Sequence, residues 1–151
     1  MQTFPHQLHG WGYEGRTVED LITFASGNRI EVIVDVRLNP ISRKRGFSKR
    51  GLSEALTAAG LVYLHRPALG NPRDNRDGFA SPESCAGKAA HDRFRTEVLD
   101  ADEAQDAIYE LSVALTRSSV ALLCYEADQR RCHRRLVIDA IADLGSSVLV
   151  G

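Results

Sequence analysis

A short stretch near the end of the chain brings two thiols, a carboxylate and an imidazole close together in sequence. Cys124 ends an apolar run, Glu126 follows, and Cys132, His133 and Arg134 come after a charged segment. An apolar run that stops just before a helical pattern is typical of a buried strand whose carboxyl end meets a helix amino terminus, where open α/β sheets bind ligands. We interpret Cys124, Glu126 and His133 as candidate catalytic residues, with Glu126 or His133 as general base, and Arg134 as a ligand-binding residue.

A second polar run follows another apolar segment. Asp35, Arg37 and Asn39 alternate in sequence, which places their side chains on the same side of a strand. In a functional interpretation Arg37 and Asn39 bind an anionic group and Asp35 orients it, so Asp35 joins the candidate catalytic residues. The alternative is a buried Asp35–Arg37 ion pair that only fixes the loop.

A basic segment follows this run, because residues 36–53 contain no acidic side chain. Its cations after Arg37 are Arg43, Lys44, Arg45, Lys49 and Arg50. Ser48 is predicted to cap the next helix. We predict that Arg43, Ser48 and Lys49 contact phosphate, with a nucleotide or a nucleic acid as partner, and an ordinary solvated loop is the alternative.

Several roles are open for Cys124. A helix amino terminus and nearby cations would favour a nucleophilic thiolate, whereas Glu126 and the apolar strand oppose it by repulsion and desolvation. We expect the opposing effects to prevail and Cys124 to be a packed, slowly alkylated thiol. The spacing from Cys124 to Arg130 matches the Cys-x5-Arg loop of phosphatases and rhodaneses. That loop is not predicted here, because Glu126 and Asp128 would repel an anion and the segment has no glycine.

The thiols also raise the questions of a metal and of a disulfide. Cys124, Cys132, His133 and His65 offer soft ligands, but their spacing is not that of a paired-cysteine zinc motif. Adjacent Cys132 and His133 are expected to diverge on a helix, so no metal site is predicted. A disulfide between Cys124 and Cys132 under oxidation stays open.

Composition places the chain among ordinary globular proteins. Its 151 residues are 43% hydrophobic and 26% charged, which excludes disordered and fibrous classes and predicts one domain over residues 1–151. A net charge of −1 gives no general attraction to nucleic acid or membrane. Three cysteines without a signal peptide favour the reducing cytoplasm, and no apolar run approaches the roughly 20 residues that span a bilayer.

Apolar periodicity predicts strands that alternate with helices. The predicted strands cover residues 8–13, 31–36, 61–64, 119–125 and, at the end, 147–150. The predicted helices cover 17–27, 48–60, 94–115 with a break near Asp100, and 132–144, and a long loop covers 65–90. This order predicts a single α/β domain with a mainly parallel sheet of four or five strands and helices on both faces.

Four further residues follow predicted strands and are candidate ligand-binding residues. Tyr13 and Glu14 end the first strand, and His65 and Asn71 follow the third. His65 could act as a general acid or base, or it could be a hydrogen-bonded loop residue.

Several motifs in one order carry a family resemblance. They are Gly12-Tyr13-Glu14-Gly15, Asp35-Val36-Arg37-Leu38-Asn39-Pro40, Ser42-Arg43, Gly46-Phe47-Ser48-Lys49, Leu69-Gly70-Asn71-Pro72, and Cys124-Tyr125-Glu126 with Cys132-His133-Arg134. Together they resemble the bacterial and archaeal family called domain of unknown function 488. The resemblance implies one α/β domain with a shared polar site and implies no reaction.

These observations favour an intracellular protein that binds a phosphate-bearing ligand, a nucleotide or a nucleic acid, and catalyses hydrolysis or group transfer at the carboxyl edge of the sheet. One alternative is a non-catalytic ligand-binding or regulatory module. Another is a thiol redox or sulfur-transfer protein that uses Cys124 and Cys132. The sequence specifies neither a cofactor nor an oligomeric state.

Overall fold

A four-stranded parallel sheet forms the centre of the fold. The computed structural model describes residues 6–149. The strands are β1 (Leu8–Gly12), β2 (Ile30–Asp35), β3 (Val62–His65) and β4 (Ser119–Cys124), in the spatial order β1-β4-β2-β3. All neighbouring pairs are parallel, so the carboxyl ends of all four strands lie at one edge.

Five α-helices accompany the sheet in the described part of the chain. They are α1 (Val18–Gly27), α2 (Lys49–Ala58), α3 (Cys85–Arg93), α4 (Asp102–Ala114) and α5 (Arg134–Leu149), and a π-helical segment (Phe94–Leu99) joins α3 to α4. Short 3-10 turns cover Pro67–Leu69, Arg73–Asn75, Asp77–Ala80 and Gln129–Arg131. The predicted α/β class and parallel sheet are therefore confirmed.

Two hydrophobic cores cover the two faces of the sheet. Leu122 of β4 packs in the core that includes Leu111 of α4 and Val137 of α5. The next residue, Leu123, packs in the opposite core with residues of α1 and α2. Every residue of β4 is buried, as expected for a central strand with helices on both faces.

The starts of α1 and α2 differ in how they are held. Thr17 and Asp20 form a capping box at α1, with Asp20 N–H donating to Thr17 Oγ1. Ser48 is the residue before α2, but its side chain makes no cap hydrogen bond. Its hydroxyl instead donates to the Ser42 carbonyl and accepts from the Ser42 N–H. The predicted N-cap position of Ser48 is therefore confirmed, but its side chain does not make the hydrogen bond of a cap.

The segment after β3 is more ordered than the predicted long loop. Helix α3 begins at Cys85, before the predicted end of the loop, and Ser84 caps it by accepting from the Gly87 N–H. Leu69 and Phe79 anchor the preceding 3-10 turns in the core. Frequent Pro, Gly and Asp residues concealed this order, because short turns use the same residues as irregular loops. The predicted break near Asp100 is confirmed, since α4 begins at Asp102.

The predicted final strand is wrong within the described residues. Residues 147–149 continue α5, and position 150 of that prediction lies outside the described residues. Ile141, Leu144 and Val148 recur at helical spacing, and this pattern outweighs the β-branched residues at the end. The described helices include none that is long and apolar enough to cross a membrane.

Candidate functional site

A cavity of about 450 Å³ opens at the carboxyl edge of the sheet. Its lining residues are Tyr13, Glu14, Arg37, Asn39, Ile41, Asn71, Arg76, Asp77, Phe79, Ala80, Cys124, Tyr125, Glu126, Arg131 and His133. Eight of the sequence-predicted residues are among them, namely Tyr13, Glu14, Arg37, Asn39, Asn71, Cys124, Glu126 and His133. A volume of this size suits a small organic ligand.

The strand order explains why residues distant in sequence meet here. Strand β4 lies between β1 and β2, and the ladder extends past the strand ends. Tyr13 N–H donates to the Cys124 carbonyl at 3.1 Å, and Val36 N–H donates to the Leu123 carbonyl at 3.1 Å. These bonds fix three chain segments side by side at the cavity.

Gly12 allows the Glu126 loop to lie directly against β1. A Cβ atom at Gly12 would overlap the carbonyl group of Glu126 and crowd the backbone nitrogen of Ala127. Both neighbours are main-chain atoms, which cannot move aside as a flexible side chain can. Glycine at this position therefore sets the path of the loop that carries Glu126.

Three buried side chains converge next to the cavity. The Cys124 and Cys132 sulfurs lie 3.7 and 3.8 Å from His133 Nδ1, respectively. His133 Nε2 lies 2.7 Å from the Val36 carbonyl, and since a carbonyl only accepts, Nε2 carries the proton. His133 therefore directs Nδ1 towards both sulfurs.

The convergence corrects one sequence-based expectation. Cys132 and His133 were expected to diverge on a helix, but α5 begins only at Arg134 and Cys132 has an extended backbone with φ −128° and ψ 142°. Because Cys132 and His133 both precede the helix, helical geometry does not separate their side chains. The two adjacent side chains therefore lie together.

The cluster shifts the pKa values of its members. A hydrogen bond with Cys132 and the charge of His133 lower the pKa of Cys124 despite its burial. Burial raises the pKa of Cys132. Burial opposes charge on His133, but the Cys124 thiolate outweighs it and raises the pKa of the imidazole. The expectation of an unactivated Cys124 thiol is at odds with this direction, because proximity to Cys132 and His133 outweighs burial.

Glu126 is half-buried on the cavity wall. Burial, followed by the negative charge of Cys124, raises the pKa of its carboxyl to about 7. Its carboxylate forms no ion pair with any of the described residues. Glu126 thus faces the cavity without a cationic partner.

Asp35 and Arg37 form a buried ion pair beneath the cavity. Arg37 Nε and Nη2 donate to the two Asp35 oxygens at 2.8 and 2.7 Å. Arg37 Nη1 also donates to the Phe47 carbonyl at 2.6 Å, and Tyr63 donates its hydroxyl to Asp35 at 2.6 Å. Asp35 itself does not line the cavity. This geometry matches the structural alternative for the pair.

Besides Asp35, five predicted residues lie apart from the cavity lining. Arg43 and Lys49 are exposed, and Ser48 binds its own loop. His65 Nε2 lies 2.8 Å from the Arg37 carbonyl. Arg134 is buried beside a second cavity, where its guanidinium donates to the Ala127 carbonyl at 3.3 Å.

Several lining residues were not singled out in the sequence. Arg76, Asp77 and Phe79 belong to the segment predicted as a loop, and Ile41, Tyr125 and Arg131 are neighbours of predicted residues. The length of the loop was the only available signal, since long segments of this kind often bind ligands.

Comparison with protein families confirms the resemblance noted in the sequence. The family model described as domain of unknown function DUF488 matches residues 17–141. The chain belongs to this family. Comparisons with curated proteins and with solved structures gave no match.

Proposed function

We propose that this member of the DUF488 family is an enzyme that acts on a nucleotide, free or within a nucleic-acid chain, in the cavity at the carboxyl edge of the sheet. The reaction is hydrolysis or group transfer. The observation that carries the proposal is the position of Glu126, an unpaired carboxylate on the cavity wall, two residues from Cys124. A positioned carboxylate of this kind can transfer a proton to or from a bound ligand.

The walls of the cavity support a ligand with a planar group. Tyr13, Phe79 and Tyr125 line it, and Tyr125 is 47% exposed although it is aromatic. Aromatic side chains stack on nucleobases with little dependence on base identity. Asn39 and Asn71 add polar groups that can hydrogen-bond to the edge of a base.

The charges near the cavity support a phosphate-bearing ligand. Arg76 and Arg131 are exposed residues of the lining. Ile41, also in the lining, precedes the basic segment that contains Arg43 and Lys49. We assign phosphate contact to these cations rather than to Arg37, whose guanidinium is held by Asp35 and the Phe47 carbonyl.

The chemistry of the thiols supports a reducing compartment. Cys124 and Cys132 are both free and buried in one cluster. We therefore place the enzyme in the cytoplasm, where paired thiols stay reduced.

Mass spectrometry of a nucleotide panel tests the proposal. Wild-type protein is incubated with ribonucleoside and deoxyribonucleoside monophosphates and with short single-stranded oligonucleotides. We expect conversion of at least one member, and Glu126→Gln should lower turnover about 10²- to 10⁴-fold, because it removes the proton-transferring group. The matched control is Glu103→Gln, which changes an exposed carboxylate of α4 outside the cavity lining.

Two results would contradict the proposal. If the wild-type protein changes no member of the panel, the substrate class is wrong. If Glu126→Gln converts substrate as fast as Glu103→Gln does, Glu126 is not the group that transfers the proton.

A further inference from the structure

The cluster of Cys124, Cys132 and His133 has the dimensions of a metal site. The two sulfurs and His133 Nδ1 all lie within 4.8 Å of one another, and the two sulfur–nitrogen distances are 3.7 and 3.8 Å. Zinc binds thiolate at about 2.3 Å and imidazole at about 2.0–2.1 Å in tetrahedral geometry, which places neighbouring ligand atoms roughly 3.5–3.8 Å apart. The two observed sulfur–nitrogen distances come close to this spacing without an ion.

The surroundings of the cluster orient the donor atoms as a metal site requires. His133 donates its Nε2 proton to the Val36 carbonyl, which leaves the Nδ1 lone pair facing the sulfurs. The backbone N–H of Arg134 points to the Cys132 sulfur at 3.5 Å. An outer hydrogen bond that fixes the imidazole is a regular feature of metal-binding histidines.

Access to the cluster is from one side. Cys124 and His133 line the cavity, whereas Cys132 is 1% exposed and lies outside the lining. An ion held by these three donors would be enclosed by protein on the Cys132 side. Its fourth coordination position would face the cavity and could take a ligand. Zinc sites with three protein ligands and one open position are typical of catalysis, and closed four-ligand sites are typical of structural roles.

We propose that Cys124, Cys132 and His133 bind a zinc-type divalent cation whose fourth coordination position faces the cavity. Two thiolates and an imidazole are donors that zinc prefers over the hard cations magnesium and calcium. The ion would hold a water molecule or a ligand atom beside Glu126. The inference goes beyond the proposed function, because the cation can bind whether or not the protein converts nucleotides.

Zinc titration of the full chain tests the inference. Protein that has been reduced and treated with a chelator is titrated with Zn²⁺ against a chromogenic chelator. We expect one equivalent of tightly bound zinc, and Co²⁺ in its place should give a thiolate charge-transfer band and the intense visible bands of tetrahedral cobalt. Failure of the wild-type protein to compete for zinc, or a cobalt spectrum without thiolate charge transfer, would overturn the inference.

Variants identify the ligands. Cys124→Ser, Cys132→Ser and His133→Gln should each weaken zinc binding by more than the roughly 10- to 100-fold that loss of an outer partner costs. Cys85→Ser is the matched control, because Cys85 is an exposed cysteine outside the cluster. Equal zinc affinity in the Cys85→Ser and Cys124→Ser proteins would refute the assignment.

A measurement on the wild-type protein covers the case in which a ligand variant does not fold. Zinc should slow alkylation of Cys124 and Cys132 and should leave alkylation of Cys85 unchanged. Peptide mass spectrometry measures the alkylation of each cysteine. Unprotected Cys124 and Cys132 at saturating zinc would contradict the inference.

Glu126→Gln separates the inference from the proposed function. We expect this variant to bind one equivalent of zinc while it loses turnover. A wild-type protein that binds zinc through the cluster but converts no nucleotide would contradict the proposed function and support the metal site.

Discussion

Asp35 holds the side chain of Arg37, which lines the cavity, and also accepts a hydrogen bond from Tyr63. Its two oxygens accept from Arg37 and from Tyr63, and Oδ1 also accepts from the Arg37 backbone N–H. Asp35 and Arg37 are both buried. Because a buried charge without its partner is costly, the two side chains depend on each other.

Replacement of Asp35 tests this dependence. Asp35→Asn keeps the shape but removes the negative charge, so it should lower the free energy of unfolding by about 3–5 kcal/mol. The matched control is Tyr63→Phe, which removes a single hydrogen bond to the same carboxylate and should cost about 1.5 kcal/mol. Urea unfolding measures both. Equal losses in the two variants would mean that the charge of Asp35 adds no more stability than one hydrogen bond.

For single residues, the sequence predicts which side chains lie close together better than it predicts what they do. Alternation along a strand predicted that Asp35 and Arg37 point the same way, and the ion pair was a stated alternative. The Phe47 carbonyl that holds Arg37 lies 10 residues away, and no local pattern encodes that contact. The convergence of Cys132 and His133 was missed, because it depends on one extended residue before α5.

Strand β1 and the segment after β4 form the element that presents Glu126. Tyr13 N–H and Glu14 N–H donate to carbonyls of Cys124 and Tyr125 at 3.1 and 2.8 Å. At Gly12 the two backbones lie so close that a Cβ atom would overlap the Glu126 carbonyl group. The position of Glu126 therefore depends on a glycine that lies outside the cavity lining.

Gly12→Ala should lower both the stability of the protein and its turnover of nucleotide. The added methyl group meets main-chain atoms of Glu126, and overpacking of this kind costs about 1–3 kcal/mol of stability. Gly27→Ala is the control, because a Cβ there meets nothing within 4 Å, and alanine should change stability by at most about 1 kcal/mol in the favourable direction. Thermal unfolding and the nucleotide conversion assay measure the effects. Wild-type turnover in Gly12→Ala would show that the close approach does not position Glu126.

The elements themselves were largely predictable. The ends of the four strands were placed within one residue, because apolar runs between turn residues give a strong signal. Helix α3 was missed, since its sequence of small and polar residues has little periodicity. The final strand was predicted from the β-branched Val148 and Val150, and the helical spacing that continues from Ile141 outweighed their propensity.

For the whole molecule, the distribution of charge matters more than its sum. The net charge is −1, yet residues 36–53 carry cations and no acid. Arg43 and Lys49 are exposed, and neither forms an ion pair with any of the described residues. Such a segment can attract a phosphate backbone although the protein as a whole is nearly neutral.

Binding of a fluorescent single-stranded oligonucleotide at several salt concentrations tests this segment. Arg43→Ala with Lys49→Ala should weaken binding and reduce the slope of log affinity against log salt by roughly 0.7 for each phosphate that the protein no longer neutralises. Lys88→Ala with Arg117→Ala removes the same charge from exposed positions elsewhere and should leave the slope unchanged. Equal slopes in the two double variants would show that the segment is an ordinary solvated loop that does not contact phosphate.

The most direct test of the central claim, that the cavity at the carboxyl edge is the functional site, is amide chemical-shift mapping by NMR. Labelled protein is titrated with the ribonucleoside monophosphates one at a time. We predict that the saturable shifts cluster at cavity residues such as Tyr13, Asn71, Tyr125 and Glu126. Shifts confined to the second cavity, around Gly10 and Gln129, or the absence of any saturable shift, would contradict the claim.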